Sequence, residues 1–122
     1  MYLYKIIIEG KWVLKISIIT VTFNNAAVLD DCIKSVLNQS YNSIEHIVID
    51  GGSKDNTINI LKKYQNHLSK FISEPDQGIY HAMNKGINLA DGDVIGFLNS
   101  DDFYAHNKVL SKVCETLKSN PE

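Results

Sequence analysis

The feature that most restricts the fold is the run Ile16-Ser17-Ile18-Ile19-Thr20-Val21-Thr22, which is apolar or β-branched at nearly every position. A strand with one wet face alternates apolar and polar residues, whereas a run without alternation belongs to a strand buried on both faces. Interior strands of a parallel sheet are of that kind, because helices cover them on each side. The residues after Thr22 fit such a sheet. Leu29, Cys32, Ile33, Val36 and Leu37 recur at helical spacing, and Asn24 or Asn25 can cap that helix. A second strand, 44–50, ends at the turn signal Gly51-Gly52. Ser53 or Asp55 can cap a second helix that turns Ile58, Leu61 and Tyr64 inward. Residues 68–74 read as a third strand, stopped by Pro75. Ile79, Met83, Gly86, Ile87 and Ala90 mark a third helix, closed by Gly92. A fourth strand over 93–99 precedes a last helix carrying Val109, Leu110, Val113, Cys114 and Leu117, and Asn120-Pro121 ends the pattern. Strands alternating with helices predict the α/β class: a Rossmann-like, mainly parallel sheet flanked by helices, with right-handed crossovers.

At 122 residues the chain supports one compact domain. We divide it into a leading segment, 1–15, and an α/β domain, 16–122. In the leading segment the run Ile6-Ile7-Ile8 is broken by Glu9-Gly10-Lys11. It is too short for a membrane span and lacks a signal-peptide cleavage site. Two readings stay open: an extra strand that turns at Glu9-Gly10-Lys11, or an extension belonging to no core element. The formal net charge of −2 shows no basic excess, which argues against a nucleic-acid partner. Cys32 and Cys114 lie far apart among apolar residues. They read as buried free thiols of a reducing, cytoplasmic compartment and not as a disulfide framework.

Ligands of open parallel sheets bind outside the carboxyl ends of the strands. All four predicted strands deliver polar residues there: Thr22 and Asn24, then Asp50, then Glu74 and Asp76, then Asn99-Ser100-Asp101-Asp102. Two adjacent carboxylates at a strand end repel each other, and a hard divalent cation relieves that repulsion. Mg2+ or Mn2+ held by one or two carboxylates completes its shell with phosphates and water. Asp101 or Asp102 can equally well turn the chain or cap a helix, and Asp50 before Gly-Gly is a good turn former. No GxxxxGK[ST] or GxGxxG loop is present to cradle phosphates. A diphosphate bound here would therefore need a metal to offset its charge. His46 and His106 read as packing or surface residues. His81 reads as a solvent-facing helix position.

The stretches SIITVTFNN, IVIDGGSKDNT, SEPDQGIYHAMNKG and GDVIGFLNSDD, in this order and spacing, resemble the family-2 inverting glycosyltransferases of the GT-A fold. Within that family they are similar to bacterial enzymes that build surface polysaccharides. The resemblance runs from Ile16 to about Leu117. It implies a nucleotide-sugar donor, UDP-linked in most such enzymes, a divalent cation (Mn2+ or Mg2+), and a glycan or lipid-linked acceptor at the inner face of the membrane. The end of the first strand, 21–24 with Val21, Thr22 and Asn24, would line the nucleotide pocket, partly through backbone groups, and Asp50 would contact the base or its ribose. Asn99, Ser100, Asp101 and Asp102 would be this chain's form of the metal-binding DxD motif. Asp102 would then be the direct metal ligand, with Asp101 on sugar, ribose or metal. Asn99 stands where many relatives carry Asp, which removes one charge. The segment 78–86, beginning at Gly78, would lie beside the nucleotide sugar, with Asn84 and Lys85 on the diphosphate or sugar.

In that family the catalytic base is a carboxylate beyond the DxD strand, on the acceptor side. Downstream of Asp102 this chain has only Glu115 and the terminal Glu122. The expectation is a GT-A-type fold incomplete at its C-terminus, with the base beyond Glu122. An apolar face left uncovered would favour self-association. Two other functions compete with this one. The first is a non-catalytic nucleotide-binding fragment that needs a partner. The second is a sugar nucleotidyltransferase, which would show a glycine- and basic-rich loop where this chain has Asn24-Asn25-Ala26-Ala27. A receiver-type domain is disfavoured because its acidic pair should follow the first strand.

Overall fold

The computed structural model describes residues 2–5 and 13–119. Its elements are β1 (Tyr2–Lys5), β2 (Ile16–Thr22), α1 (Ala26–Leu37), β3 (Ile44–Asp50), α2 (Thr57–Lys63), β4 (Lys70–Ser73), α3 (Ile79–Leu89), β5 (Val94–Phe97) and α4 (Val109–Ser119). From β2 onward this is the alternation expected. β2 pairs in parallel with β3 along its whole length, from Ile16 opposite Ile44 to Thr22 opposite Asp50. β3 pairs in parallel with β4, and β2 with β5.

The sheet order is β1-β5-β2-β3-β4. The chain steps outward from β2 to β4 and then returns to the far side of β2 for β5. The order therefore reverses between β2 and β5, where a crevice opens at the carboxyl ends. β1 runs antiparallel along the outer side of β5, with Tyr2 opposite Phe97 and Lys5 opposite Val94. Of the two readings of the leading segment, the strand is present over these residues, although its neighbour is β5 and not β2. The turn expected at Glu9-Gly10-Lys11 lies outside the described residues.

Alternation along the strands sorts the core into two faces. On one, Ile16 and Ile18 of β2 and Val94 of β5 pack with Cys32 and Val36 of α1 and Leu110 and Cys114 of α4. On the same face Leu29 and Ile33 meet Val48 of β3 and Leu61 and Tyr64 of α2. On the other, Ile19, Ile47, Ile49, Ile95 and Phe97 receive Ala82 of α3. Among the described residues, three helices thus cover one face and α3 covers the other. The inward stripe of α3 follows the expected one in part. Gly86 is buried and Met83 and Ala90 pack against the core, as expected, while Ala82 is buried and Ile79 and Ile87 are exposed. The reason is close approach: a Cβ on Gly86 would lie 2.4 Å from Ile19 Cγ2. Small residues mark the tight centre of this contact, with Met83 and Leu89 packed at its margins.

At the amino ends of the strands Glu45 is buried but satisfied. It accepts from Ser17 Oγ at 2.6 Å and from the Asp91 N–H at 2.9 Å, with Lys70 Nζ 3.5 Å away. Burial alone would raise its carboxyl pKa. The two hydrogen bonds, with Lys15 and Lys70, reverse that and hold it below the ordinary range. No helix among the described residues is long and apolar enough to cross a membrane.

His46, on the α1 side of β3, is buried and its pKa is pushed down to about 4 by desolvation. Below pH 6.5 the unfolded chain binds a proton that the folded chain does not, so stability falls as pH drops. His46 is therefore expected to remove on the order of 3 kcal/mol between pH 6.5 and about 4. Urea denaturation across that window checks it: His46→Gln should flatten this part of the profile, and an unchanged slope would assign it elsewhere.

Candidate functional site

The crevice is shaped by loops that hold one another. After β2 the backbone turns at Asn24, whose φ of 49° lies in the left-handed region that asparagine tolerates. The Asn24 N–H donates to Ser53 Oγ at 2.7 Å, and the Lys54 N–H returns a bond to Asn24 Oδ1 at 2.9 Å. Asn25 occupies the N-cap position of α1 without making a side-chain cap; its amide donates to Ser100 Oγ at 2.8 Å, tying the exit of β2 to that of β5. The cap comes from elsewhere. Asp55 accepts from the Ala26 N–H at 3.2 Å and from the Thr57 N–H at 2.9 Å, serving the starts of both α1 and α2. Those bonds, chiefly with Thr57, hold its pKa below the usual carboxylate value.

Asp50 ends β3 with no exposed surface. Its carboxylate accepts from the Ser53 N–H at 2.9 Å, from Ser53 Oγ, and from Ser73 Oγ at 2.7 Å. These bonds fix the turn through Gly51 and Gly52 and join it to the end of β4. Gly51 then lies against the next loop, where a Cβ would sit 3.0 Å from Asp76 Oδ2. Asp76 Oδ1 accepts from the Gly78 N–H at 3.1 Å. Gly78, with φ of 109°, turns the chain into α3 through a conformation that side chains disfavour.

Beyond β5 the Ser100 N–H reaches Val21 O at 3.4 Å, and the Asp102 N–H closes a tight turn on Asn99 O at 2.9 Å. Asp101 and Asp102 project from this turn, both exposed. Among the described residues neither carboxylate has a hydrogen-bond or ion-pair partner.

These loops enclose a cleft of about 580 Å3, within the range of small-ligand sites. Of the residues expected at a site, Val21, Thr22, Gly78, Asn99, Ser100 and Asp101 line it. Asn24 and Asp50 stand behind the wall and shape it. Asp102 follows Asp101 in the same turn, outside the lining. Lys85 is paired with Glu74 at 2.9 Å, and neither it nor Asn84 lines the cleft. Phe23, Ile79 and Ala82, inside the segments 21–24 and 78–86 expected beside the nucleotide sugar, also line it, as does Asp76, expected at this edge after the third strand. Asn25 and Gly51 line it too and were not expected from the sequence as site residues, although each directly follows a residue that was. Phe23 and Ile79 stay exposed beside the cavity, at 58% and 50%.

Among the described residues no lysine or arginine lines the cleft, although Asp76 and Asp101 do. A diphosphate would meet only like charge there, and a divalent cation between it and the aspartates removes the conflict. Asp101 offers a hard cation carboxylate oxygens with no competing partner among the described residues, with Asp102 next to it in the turn, and no group of three or more His, Cys, Asp or Glu among the described residues could hold a metal by itself. Thr22 Oγ1, buried in the wall, has no hydrogen-bond partner among the described residues. A second cleft, of about 450 Å3, lies between α1 and residues 103–107; Lys34 on its wall is paired with Asp30 at 2.8 Å.

Comparison with known proteins agrees with this geometry. The profile of glycosyl transferase family 2 matches residues 17–122. An uncharacterized glycosyltransferase of Mycobacterium tuberculosis (strain CDC 1551 / Oshkosh) is 43% identical over 103 residues, covering 84% of this chain and 39% of its own length. This chain thus spans about two-fifths of that relative. Among solved structures, S. aureus TarS 1–349 in complex with UDP superposes with a TM-score of 0.80 at 25% identity, over 88% of this chain and 33% of that one. The mannosyltransferase PcManGT of Pyrobaculum calidifontis, in complex with GDP-Man and Mn2+, shares the fold with a TM-score of 0.80 at 20% identity, over 87% and 33% of the two chains. A Rossmann-like sheet, an aspartate pair at the end of β5 and a family match over nearly all of its residues place the chain in glycosyl transferase family 2.

Proposed function

We propose that this chain forms the donor pocket of a glycosyltransferase, binding a UDP-sugar together with Mn2+ or Mg2+ for inverting transfer to a glycan or lipid-linked acceptor. The observation that carries the reading is the unpartnered carboxylate pair Asp101-Asp102 at the end of β5, beside a cleft lined by no cationic side chain among the described residues. In this reading Asp102 holds the cation directly, and Asp101 holds the cation or the sugar. Bound there, the cation would neutralise the diphosphate and favour its departure. Val21 and Asn99 contribute backbone and amide groups to the pocket, and Thr22 forms part of its wall. Asp50 and Asn24 keep the wall in place. Direct contact of Asp50 with a base or ribose would require the Ser53 hydroxyl to release it. Gly78 lets α3 begin at the cleft floor, and Asn84 and Lys85 would reach a ligand only if the Lys85–Glu74 pair opened. The base that deprotonates the acceptor hydroxyl we assign to the portion of the relatives' length that this chain does not span.

Calorimetric titration of UDP tests the proposal. Binding should require Mn2+ or Mg2+ and should be lost with EDTA. UDP binding of equal strength in EDTA, or no binding in either condition, would reject it.

A further inference from the structure

The core face under α1 carries three polar side chains that apolar residues could replace. Thr20, Cys32 and His46 are buried, at 0%, 0% and 3% exposure. Burying such groups costs free energy unless they bond to one another or to the backbone. They do so in a line. His46 Nε2 lies 2.8 Å from Thr20 Oγ1, Thr20 Oγ1 lies 3.9 Å from Cys32 Sγ, and Cys32 Sγ lies 3.6 Å from Asn99 O. The two longer distances are those of sulfur contacts. We propose that His46, Thr20 and Cys32 form a positioning relay that sets the 99–102 turn, and through it the affinity of the site for a divalent cation bound with a nucleoside diphosphate. The inference rests on the function proposed above.

The end of the line fixes its direction. A carbonyl oxygen only accepts, so the Cys32 thiol donates to Asn99 O. Cys32 then accepts from the Thr20 hydroxyl, and Thr20 accepts from His46 Nε2–H. His46 is left with a bare Nδ1, and that atom has no partner among the described residues. Every hydrogen in the line points toward the turn. Burial favours the protonated thiol that this arrangement needs, raising the Cys32 pKa to about 11. The carbonyl at the end is also the acceptor for the Asp102 N–H that closes the turn. Cys32 therefore braces the backbone group that receives the Asp102 N–H, and it does so from the core side. None of the three side chains lines the cleft. They act through the turn, in the way that outer partners of metal ligands set ligand orientation.

The test is the affinity for Mn2+ in the presence of UDP, read from the spin-resonance signal of free Mn2+, with unliganded melting temperature as a reference. Cys32→Ala should weaken Mn2+ binding by about tenfold. Cys32→Ser, which keeps a donor, should recover most of it. Thr20→Val should cause a smaller loss, and adding it to Cys32→Ala should cause none beyond Cys32→Ala alone, because the line is already cut. A lower melting temperature is compatible with any of these variants, so that readout decides nothing alone. If the wild-type chain binds no Mn2+ with UDP, the proposed function fails and the relay with it. If the wild type binds and Cys32→Ala binds equally well, the relay alone fails. It fails too if Cys32→Ser is as weak as Cys32→Ala. Should Cys32→Ala not fold, near-isosteric Thr20→Val carries the test against Thr20→Ser, with Mn2+ affinity unchanged in Thr20→Val as the overturning result.

Discussion

Asp102→Ala is expected to abolish the stabilisation that UDP and Mn2+ together confer on the folded chain. With ligand at about 100 times its dissociation constant, the wild type should gain about 2.7 kcal/mol. The variant should gain nothing measurable. Its unliganded stability should change by no more than about 0.5 kcal/mol, because Asp102 is exposed and its carboxylate bonds to nothing among the described residues. The one structural bond of this residue, from its N–H to Asn99 O, survives the substitution. Loss of a ligand effect without loss of fold is the signature of a residue whose role is toward the ligand. Asp101→Ala should keep part of the effect if Asp101 serves the sugar and none if it serves the cation. Thermal melts with UDP, with Mn2+, with both and with neither separate these cases. A full ligand shift in Asp102→Ala would remove Asp102 from the site.

Asp50→Ala should behave in the opposite way, lowering unliganded stability by about 3 kcal/mol. It removes the buried carboxylate that accepts from the Ser53 N–H, the Ser53 hydroxyl and the Ser73 hydroxyl. The turn that presents Gly51 to Asp76 loses its anchor, so UDP binding should weaken even where the variant stays folded. Asp50→Asn keeps one acceptor oxygen and should fall between. Asp55→Ala, on the solvent side of the same loops, should cost less than either Asp50 variant. Urea denaturation of the four proteins checks the order. An Asp50→Ala chain as stable as wild type would mean that its carboxylate is held for the ligand and not for the turn.

The same two aspartates show how far the sequence could be read. Both follow a strand, and in the sequence both admitted a turn role and a ligand role. Spacing along a chain reports which end of the sheet a residue reaches, because strand direction and period are local properties. It does not report whether a carboxylate meets donors there. Ser73, on a different strand, is one of the groups that engages Asp50, and nothing near Asp50 in sequence announces it. The helix caps teach the same point. Asn25 stands at the N-cap of α1, yet Asp55 caps that helix, because the β2 and β3 exits lie side by side in a parallel pair. Along α3 the expected stripe is right at Met83, Gly86 and Ala90 and misplaced at Ile79 and Ile87, since the packing distance over Ile19 admits only small residues at the centre of the contact.

What the sequence by itself determined is the alternation of buried strands and amphipathic helices, the sheet edge that collects the polar residues, and the Asp101-Asp102 pair at that edge. These follow from periodicity and from burial on two faces, which each segment carries within itself. What only the tertiary structure decided is the pairing of β1 with β5, the helix that stands alone on its face, the cleft between β2 and β5, and which polar groups are already satisfied. Each depends on contacts between residues tens of positions apart, where a hydrogen bond or a close approach is set by the meeting of two segments and by neither alone.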